Sequence, residues 1–141
     1  MPLPRIPANP LSRSTTYAAS GFGVWQGLGL LLSDPQRLSS PSLRMVLEYQ
    51  TAWAVAALAA GLLVFVGITW NRWWVKAVGL GVLFVWCLGF ATATLHAFLI
   101  NPTAGPTGPP AYYFAAAAVF ILIWVDGKVR HEATTAPPTS A

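Results

Sequence analysis

Two long stretches that contain no Asp, Glu, Lys or Arg, residues 51–70 and 77–100, constrain this chain more than any other feature of its sequence. A helical residue advances the chain by about 1.5 Å, so each stretch is long enough to cross the roughly 30 Å hydrocarbon layer of a bilayer. A bilayer interior offers no water to the backbone, and a helix satisfies its own backbone groups. Both stretches are therefore predicted to be transmembrane helices.

Two further runs extend this pattern less strongly. Residues 15–33 carry no charge, but they contain four glycines and Gln26. A cleaved signal peptide and a helix lying at the membrane interface are the alternatives to a span here. Residues 111–125 are short for a span, but aromatic side chains of the kind that anchor helices at an interface bracket them: Tyr112, Tyr113 and Trp124.

These runs predict an all-α integral membrane bundle with four transmembrane helices, or three if the first run does not cross. The four helices occupy residues 15–125, and an amphipathic helix over 41–50 leads into the second span. The flanking segments 1–14 and 126–141 are rich in Pro or polar residues, and we expect both to be disordered tails. Only 9% of the residues are charged, against roughly 25% in soluble domains, which excludes an ordinary soluble fold.

The segment TWNRWWVKAV, residues 69–78, is predicted to be a tight cytoplasmic turn between the second and third spans. Its aromatic and basic side chains are expected to anchor the bundle at headgroup depth: Trp70, Arg72, Trp73, Trp74 and Lys76. With four spans and a cytoplasmic N-terminus, six of the eight cations lie inside and only Arg37 and Arg44 lie outside. With three spans the distribution is four against four, so the charges favour four spans with both termini cytoplasmic.

Small residues recur at helical spacing in three of the predicted spans. In lipid there is no hydrophobic driving force between helices, because the lipid tails are as apolar as the side chains. Close approach of the helix backbones through small residues drives association instead. We therefore predict helix contacts at Ala19, Gly23, Gly27, Ala52, Ala56, Ala60, Gly81, Gly89 and Ala93. The sequence leaves open whether these contacts form within one bundle or between protomers.

Polar side chains within the spans are few: Gln26, Thr92 and His96 are singled out. Gln26 is expected to hydrogen-bond another helix, with pathway lining as the alternative. His96 either bonds Thr92 or a neighbouring element as a neutral side chain, or acts as a pH-sensitive gate.

Chemical function finds little support in the sequence. The four acidic residues lie outside the apolar runs, and no zinc, phosphate-loop or paired-thiol motif occurs. The cations are scattered, which argues against nucleic-acid binding. We expect no enzymatic activity, no cofactor and no metal.

The span pattern, the frequent Ala, Gly, Pro, Trp and Arg, and the short basic tails resemble small polytopic membrane proteins encoded by phages of high-GC actinobacteria. The resemblance implies a bacterial inner-membrane location and a lysis-associated, holin-like role. We consider three hypotheses for the function. The first is a homo-oligomeric module that permeabilises the membrane. The second is a non-lytic adaptor that binds another membrane protein to exclude competing phages, and the third is a small channel or transporter subunit that uses His96. The bilayer is a partner in all three.

Overall fold

The computed structural model describes residues 10–33, 48–100 and 108–135, and within these ranges the chain forms four helices and no strand. They are α1 (Pro10–Leu32), α2 (Gln50–Thr69), α3 (Trp73–Ile100) and α4 (Gly108–Thr135). The all-α prediction is confirmed. The predictions for residues 1–9, 34–47 and 136–141 lie outside the described residues.

Three of the four helices are long and apolar enough to cross a membrane: Gln50–Thr69, Trp73–Ile100 and the Pro110–Glu132 part of the fourth. This confirms the membrane-type character of the bundle. The first helix is long enough but less apolar, because Gly, Ser, Thr and Gln interrupt its run of hydrophobic residues.

The helices extend further than the uncharged runs from which they were predicted. α1 begins at Pro10 rather than at residue 15, and proline is a favourable first helical residue. α3 begins at Trp73 rather than at residue 77. α4 continues past residue 125 to Thr135, where a disordered tail was expected. An ion pair between Asp126 and Arg130, spaced i,i+4, supports this extra length.

Each helix packs antiparallel to the next one along the chain, in an up-and-down bundle. Between α1 and α2, the Ser20 Oγ donates a hydrogen bond to the Gly61 carbonyl oxygen at 2.9 Å, and Gln50 Nε2 donates to the Leu30 carbonyl oxygen. The later residue of α1 thus meets the earlier residue of α2. The same inverse order holds for α2 with α3, where Gly67 lies near Lys76 and Gly89 near Trp53. It also holds for α3 with α4, where Lys76 pairs with Asp126 and Phe90 packs on Tyr112. α1 contacts α4 more sparingly.

The turn between α2 and α3 is closed by backbone hydrogen bonds. Asn71 adopts a left-handed conformation with φ of 53°, which Asn tolerates better than most residues. The Arg72 amide donates to the Gly67 carbonyl oxygen at 2.9 Å, and the Asn71 amide donates to Ile68 at 3.3 Å. These two bonds form a Schellman cap, which ends α2 and reverses the chain within three residues, Trp70 to Arg72.

The core lies between α2 and α3, where Val64, Leu80, Leu83 and Cys87 are fully buried. Glycines also bring the backbone of α1 close to that of α2. An ideal Cβ on Gly27 would lie 2.7 Å from the Leu58 amide nitrogen, and one on Gly23 would lie 3.0 Å from the Gly61 Cα. The helix backbones are therefore nearly in contact along this crossing.

Gly27→Ala should destabilise the bundle, because the added methyl group meets backbone atoms that cannot move aside. Overpacking of this kind costs about 1–3 kcal/mol. The measurement is the free energy of unfolding in a detergent titration followed by tryptophan fluorescence.

Gly29→Ala is the matched control in the same helix, since nothing lies within 4 Å of an added Cβ there. It should leave the free energy of unfolding unchanged or raise it slightly, because alanine favours helix over glycine by up to about 1 kcal/mol. Equal effects of the two substitutions would contradict the close α1–α2 crossing.

Candidate functional site

A groove with a volume of about 640 Å³ opens to the outside of the bundle between α2 and α3. Four of the small residues singled out in the sequence line it, together with valines and two tryptophans: Ala52, Trp53, Ala56, Val78, Gly81, Val82, Val85, Trp86 and Gly89. The small side chains leave the helix backbones exposed along the groove. An added Cβ on Gly81 would meet nothing within 4 Å, so this position faces open space.

Two tryptophans form one end of the groove and fix its shape. The indole Nε1 of Trp86 donates a hydrogen bond to the Trp53 carbonyl oxygen at 2.8 Å, and the two rings meet edge to face with centroids 6.2 Å apart. The Trp53 ring lies on Gly89, where a Cβ would come within 2.8 Å of it. Since the groove is apolar and the Trp86 N–H is already bonded, it fits an apolar helix or acyl chain better than a polar substrate.

The structure divides the predicted packing residues between the interior and the outer surface. Gly23, Gly27 and Ala60 are buried inside the bundle, and Ala19 is partly buried there. Ala52, Ala56, Gly81 and Gly89 line the outward groove, and Ala93 is partly buried on the same helix as the last two. The stripe on α1 is thus used within one protomer, whereas on α3 Gly81 faces open space and Gly89 is covered by the Trp53 ring.

The three predicted intramembrane polar residues lie on two different surfaces. Gln26 meets α4, where the Tyr112 hydroxyl donates to its Oε1 at 3.4 Å. Thr92 and His96 are exposed on α3, at helical spacing beyond Gly89 on the groove side. The Thr92 hydroxyl bonds its own helix at the Leu88 carbonyl oxygen, 2.7 Å away. His96 forms no side-chain hydrogen bond with Thr92 or with a neighbouring helix in the described part of the chain, and residues 101–107 of the following loop lie outside it.

At the opposite end of α3 from His96, a carboxylate joins two helices. Asp126 on α4 accepts hydrogen bonds from Lys76 Nζ on α3 and from Arg130 Nη2, the latter at 2.9 Å. The Arg130 guanidinium also stacks on Trp73, with its Cζ 3.9 Å from the ring centroid. We call this cluster the α3–α4 clamp.

Sequence reasoning missed this clamp. The i,i+4 spacing of Asp126 and Arg130 was visible in the sequence, but the pairing with Lys76, fifty positions away, depends on the fold.

Most of the predicted interface anchors lie at the surface, whereas Tyr112 is partly buried against the core. The aromatic side chains of Trp70, Trp73, Trp74, Tyr113 and Trp124 are exposed, as is Arg72. Tyr112 instead packs inward against Phe90 and Trp86, with centroids 4.5 and 6.0 Å from its own ring. Its place beside two core aromatics reflects its position on the α3-facing side of α4.

Among the described residues, no three His, Cys, Asp or Glu side chains come together in a way that could hold a metal ion. Cys87 is fully buried and forms no disulfide. Of the acids in the described ranges, Glu48 and Glu132 lie near helix ends, and Asp126 lies within α4, where it pairs with Lys76 and Arg130. The arrangement supports packing and interfacial contacts, and no catalytic group is assigned.

These features define a class: a helical bundle with three helices able to cross a membrane, an outward apolar groove, and a charged end rich in tryptophan. Comparison with protein families, with curated proteins and with solved structures finds no match to this chain.

Asp126→Asn should loosen α4 from α3, because Lys76 and Arg130 would lose their shared anionic partner. Hydrogen bonds to charged groups contribute about 1.5–3 kcal/mol where they are partly protected from water. We expect a loss of about that size in the free energy of unfolding.

Glu132→Gln removes one negative charge from the same helix, and Glu132 is exposed and forms no ion pair with the described residues. It should change stability by less than about 0.5 kcal/mol. If the two variants were equally stable, the α3–α4 clamp would contribute nothing to the fold.

Proposed function

We propose that all four helices cross the bilayer. Support comes from the way α1 lies along α2, which is apolar and long enough to span. The Tyr17 ring meets the Phe65 ring at 6.2 Å, and the Leu30 carbonyl oxygen accepts a hydrogen bond from Gln50. Residues 17–30 of α1 therefore lie at the same depths as residues 50–65 of α2, a distance of about 20 Å along the axis.

The polar character of α1 is compatible with this placement. Four of the polar or small residues that lower its hydropathy are buried: Thr16, Ser20, Gly23 and Gly27. The last three contact α2. From residue 17 onward its exposed large side chains are apolar or aromatic: Tyr17, Trp25, Leu28, Leu31 and Leu32. Arg13, Ser14 and Thr15 are exposed before them, near the start of the helix. Polar groups turned inward and apolar groups turned outward are what a lipid environment favours.

The distribution of charge supports cytoplasmic termini. The antiparallel order brings the start of α1, the α2–α3 turn and the end of α4 to one end of the bundle. Five described cations lie there with two carboxylates, for a net charge of +3: Arg13, Arg72, Lys76, Lys128 and Arg130, with Asp126 and Glu132. The excess of Lys and Arg marks the cytoplasmic side.

Reporter fusions at the two termini test this topology. With four spans, a fluorescent protein should fold and fluoresce at either terminus, while alkaline phosphatase should be inactive at both. If α1 did not cross, the N-terminus would lie outside, and phosphatase activity at the N-terminus alone would overturn the four-span arrangement.

For the biochemical role, we propose a non-enzymatic, holin-like module that assembles with further copies of itself and permeabilises a bacterial inner membrane. The outward α2–α3 groove carries this proposal. In lipid, an exposed track of Ala and Gly invites close approach by another helix. Beyond the groove, exposed Thr92 and His96 add polar groups that a partner helix would cover more favourably than lipid would.

The interior of a single protomer favours assembly over conduction through one bundle. Its centre is filled by apolar and aromatic side chains, with Leu83, Cys87 and Val64 fully buried and Trp86 stacked on Phe90 at 5.1 Å. The described residues place no polar path through this centre. A permeable lesion would therefore form between protomers.

Gly81→Leu tests the groove as the assembly surface. The leucine has room in an isolated protomer, because position 81 faces open space, but it fills the track that a second helix would use. Expression of the unaltered chain in a bacterial inner membrane should collapse the membrane potential after a delay and arrest growth. Gly81→Leu should abolish both effects and reduce cross-linked oligomers at equal expression.

Gly29→Leu is the matched control, since it adds the same side chain at an open position on α1. It should remain as toxic as the unaltered chain. Full toxicity of Gly81→Leu would show that the groove is not the assembly surface. Harmless accumulation of the unaltered chain with an intact potential would instead favour the adaptor hypothesis, and the groove would then be tested against other membrane proteins.

A further inference from the structure

At the charged end of the bundle, some cations are held in ion pairs and others are exposed without an ion-pair partner among the described residues. Lys76 and Arg130 are held by Asp126, and the side chains of all three are about one-fifth exposed. Arg13, Arg72 and Lys128 are exposed and form no ion pair with the described residues. Two cations are thus paired within the α3–α4 clamp, and three others are exposed at the surface. We call these three the free cations.

Exposed tryptophans share this end with the free cations. Trp70 is 71% exposed, and Trp73, Trp74 and Trp124 are each more than half exposed. Lys128 lies over the Trp124 ring at 5.5 Å from its centroid. Indole rings prefer the headgroup region, where the ring is shielded and its N–H reaches a phosphate or carbonyl oxygen. The rings therefore hold the free cations at headgroup depth.

From this arrangement we propose that the end of the bundle formed by Arg13, Arg72 and Lys128 binds anionic phospholipid headgroups and selects them over zwitterionic ones. Charge complementarity supports this partner, since each Lys or Arg near a negative leaflet attracts it and guanidinium groups pair well with phosphate oxygens. Asp126 acts as a built-in competitor that withdraws Lys76 and Arg130 from the lipid.

This inference rests on the proposed crossing of the membrane and is independent of self-association. The test uses the full chain in phosphatidylcholine vesicles that contain phosphatidylglycerol. Brominated phosphatidylglycerol and brominated phosphatidylcholine are compared as quenchers of tryptophan fluorescence. We expect phosphatidylglycerol to bind at least several-fold more strongly, with a preference that declines in high salt because salt screens exposed charges.

Two kinds of variant give opposite expectations. Arg72→Gln combined with Lys128→Gln should reduce the preference by roughly fivefold for each of the two cations removed. Asp126→Asn should increase it, because Lys76 and Arg130 become available to the lipid. If these residues acted only in folding, both variants would change the preference for phosphatidylglycerol in the same direction.

The matched control is Arg37→Gln combined with Arg44→Gln, which removes the same charge from the segment between α1 and α2. It should retain the preference. An unaltered chain without preference, or equal losses in the two double variants, would overturn the proposal. Resistance to carbonate extraction and cross-linking in the same vesicles report insertion and assembly separately, so a failure of those proposals is recognised independently.

Discussion

Close contact between helix backbones is the interaction on which the rest of this bundle depends. In lipid, burying an apolar side chain gains little, so position is determined by where backbones come together. Gly27 and Gly61 place α1 against α2, and Gly79 lets α2 meet α3, since a Cβ there would lie 2.7 Å from the Val64 amide nitrogen. These contacts fix which faces turn inward, and thereby which small residues remain on the surface.

The fate of the small-residue stripes illustrates this dependence. The small residues of α1 are buried where this helix crosses α2, and there Ser20 donates a hydrogen bond to the Gly61 carbonyl oxygen. With that face occupied, α2 and α3 expose Ala52, Ala56 and Gly81 along an outward groove. The proposed assembly surface is a consequence of how the bundle closes.

Electrostatics organises the bundle at one end. The clamp around Asp126 joins α4 to α3, which matters because the span within α4 is the least buried of the three. The same carboxylate separates paired cations from free ones. Packing within the apolar region and charge pairing at its edge thus have distinct roles. The first sets the neighbours of α1, α2 and α3, and the second holds α4 against α3 and determines which cations are exposed at that end.

The sequence by itself determined the all-α class, the approximate positions of the helices and the site of the Trp-rich turn, because uncharged length and clustered charge are local properties. It ended α4 too early at residue 125, although the i,i+4 spacing of Asp126 and Arg130 was present in the sequence. The further pairing of Asp126 with Lys76 on α3 could not be read from neighbouring positions. Only the tertiary structure decided that Gly23 and Gly27 face inward, that Gly81 faces a groove, and that Tyr112 packs against the core. The physical reason is that a repeat of small residues every four positions shows where a helix can be approached closely, while the packing of the other helices decides which one approaches.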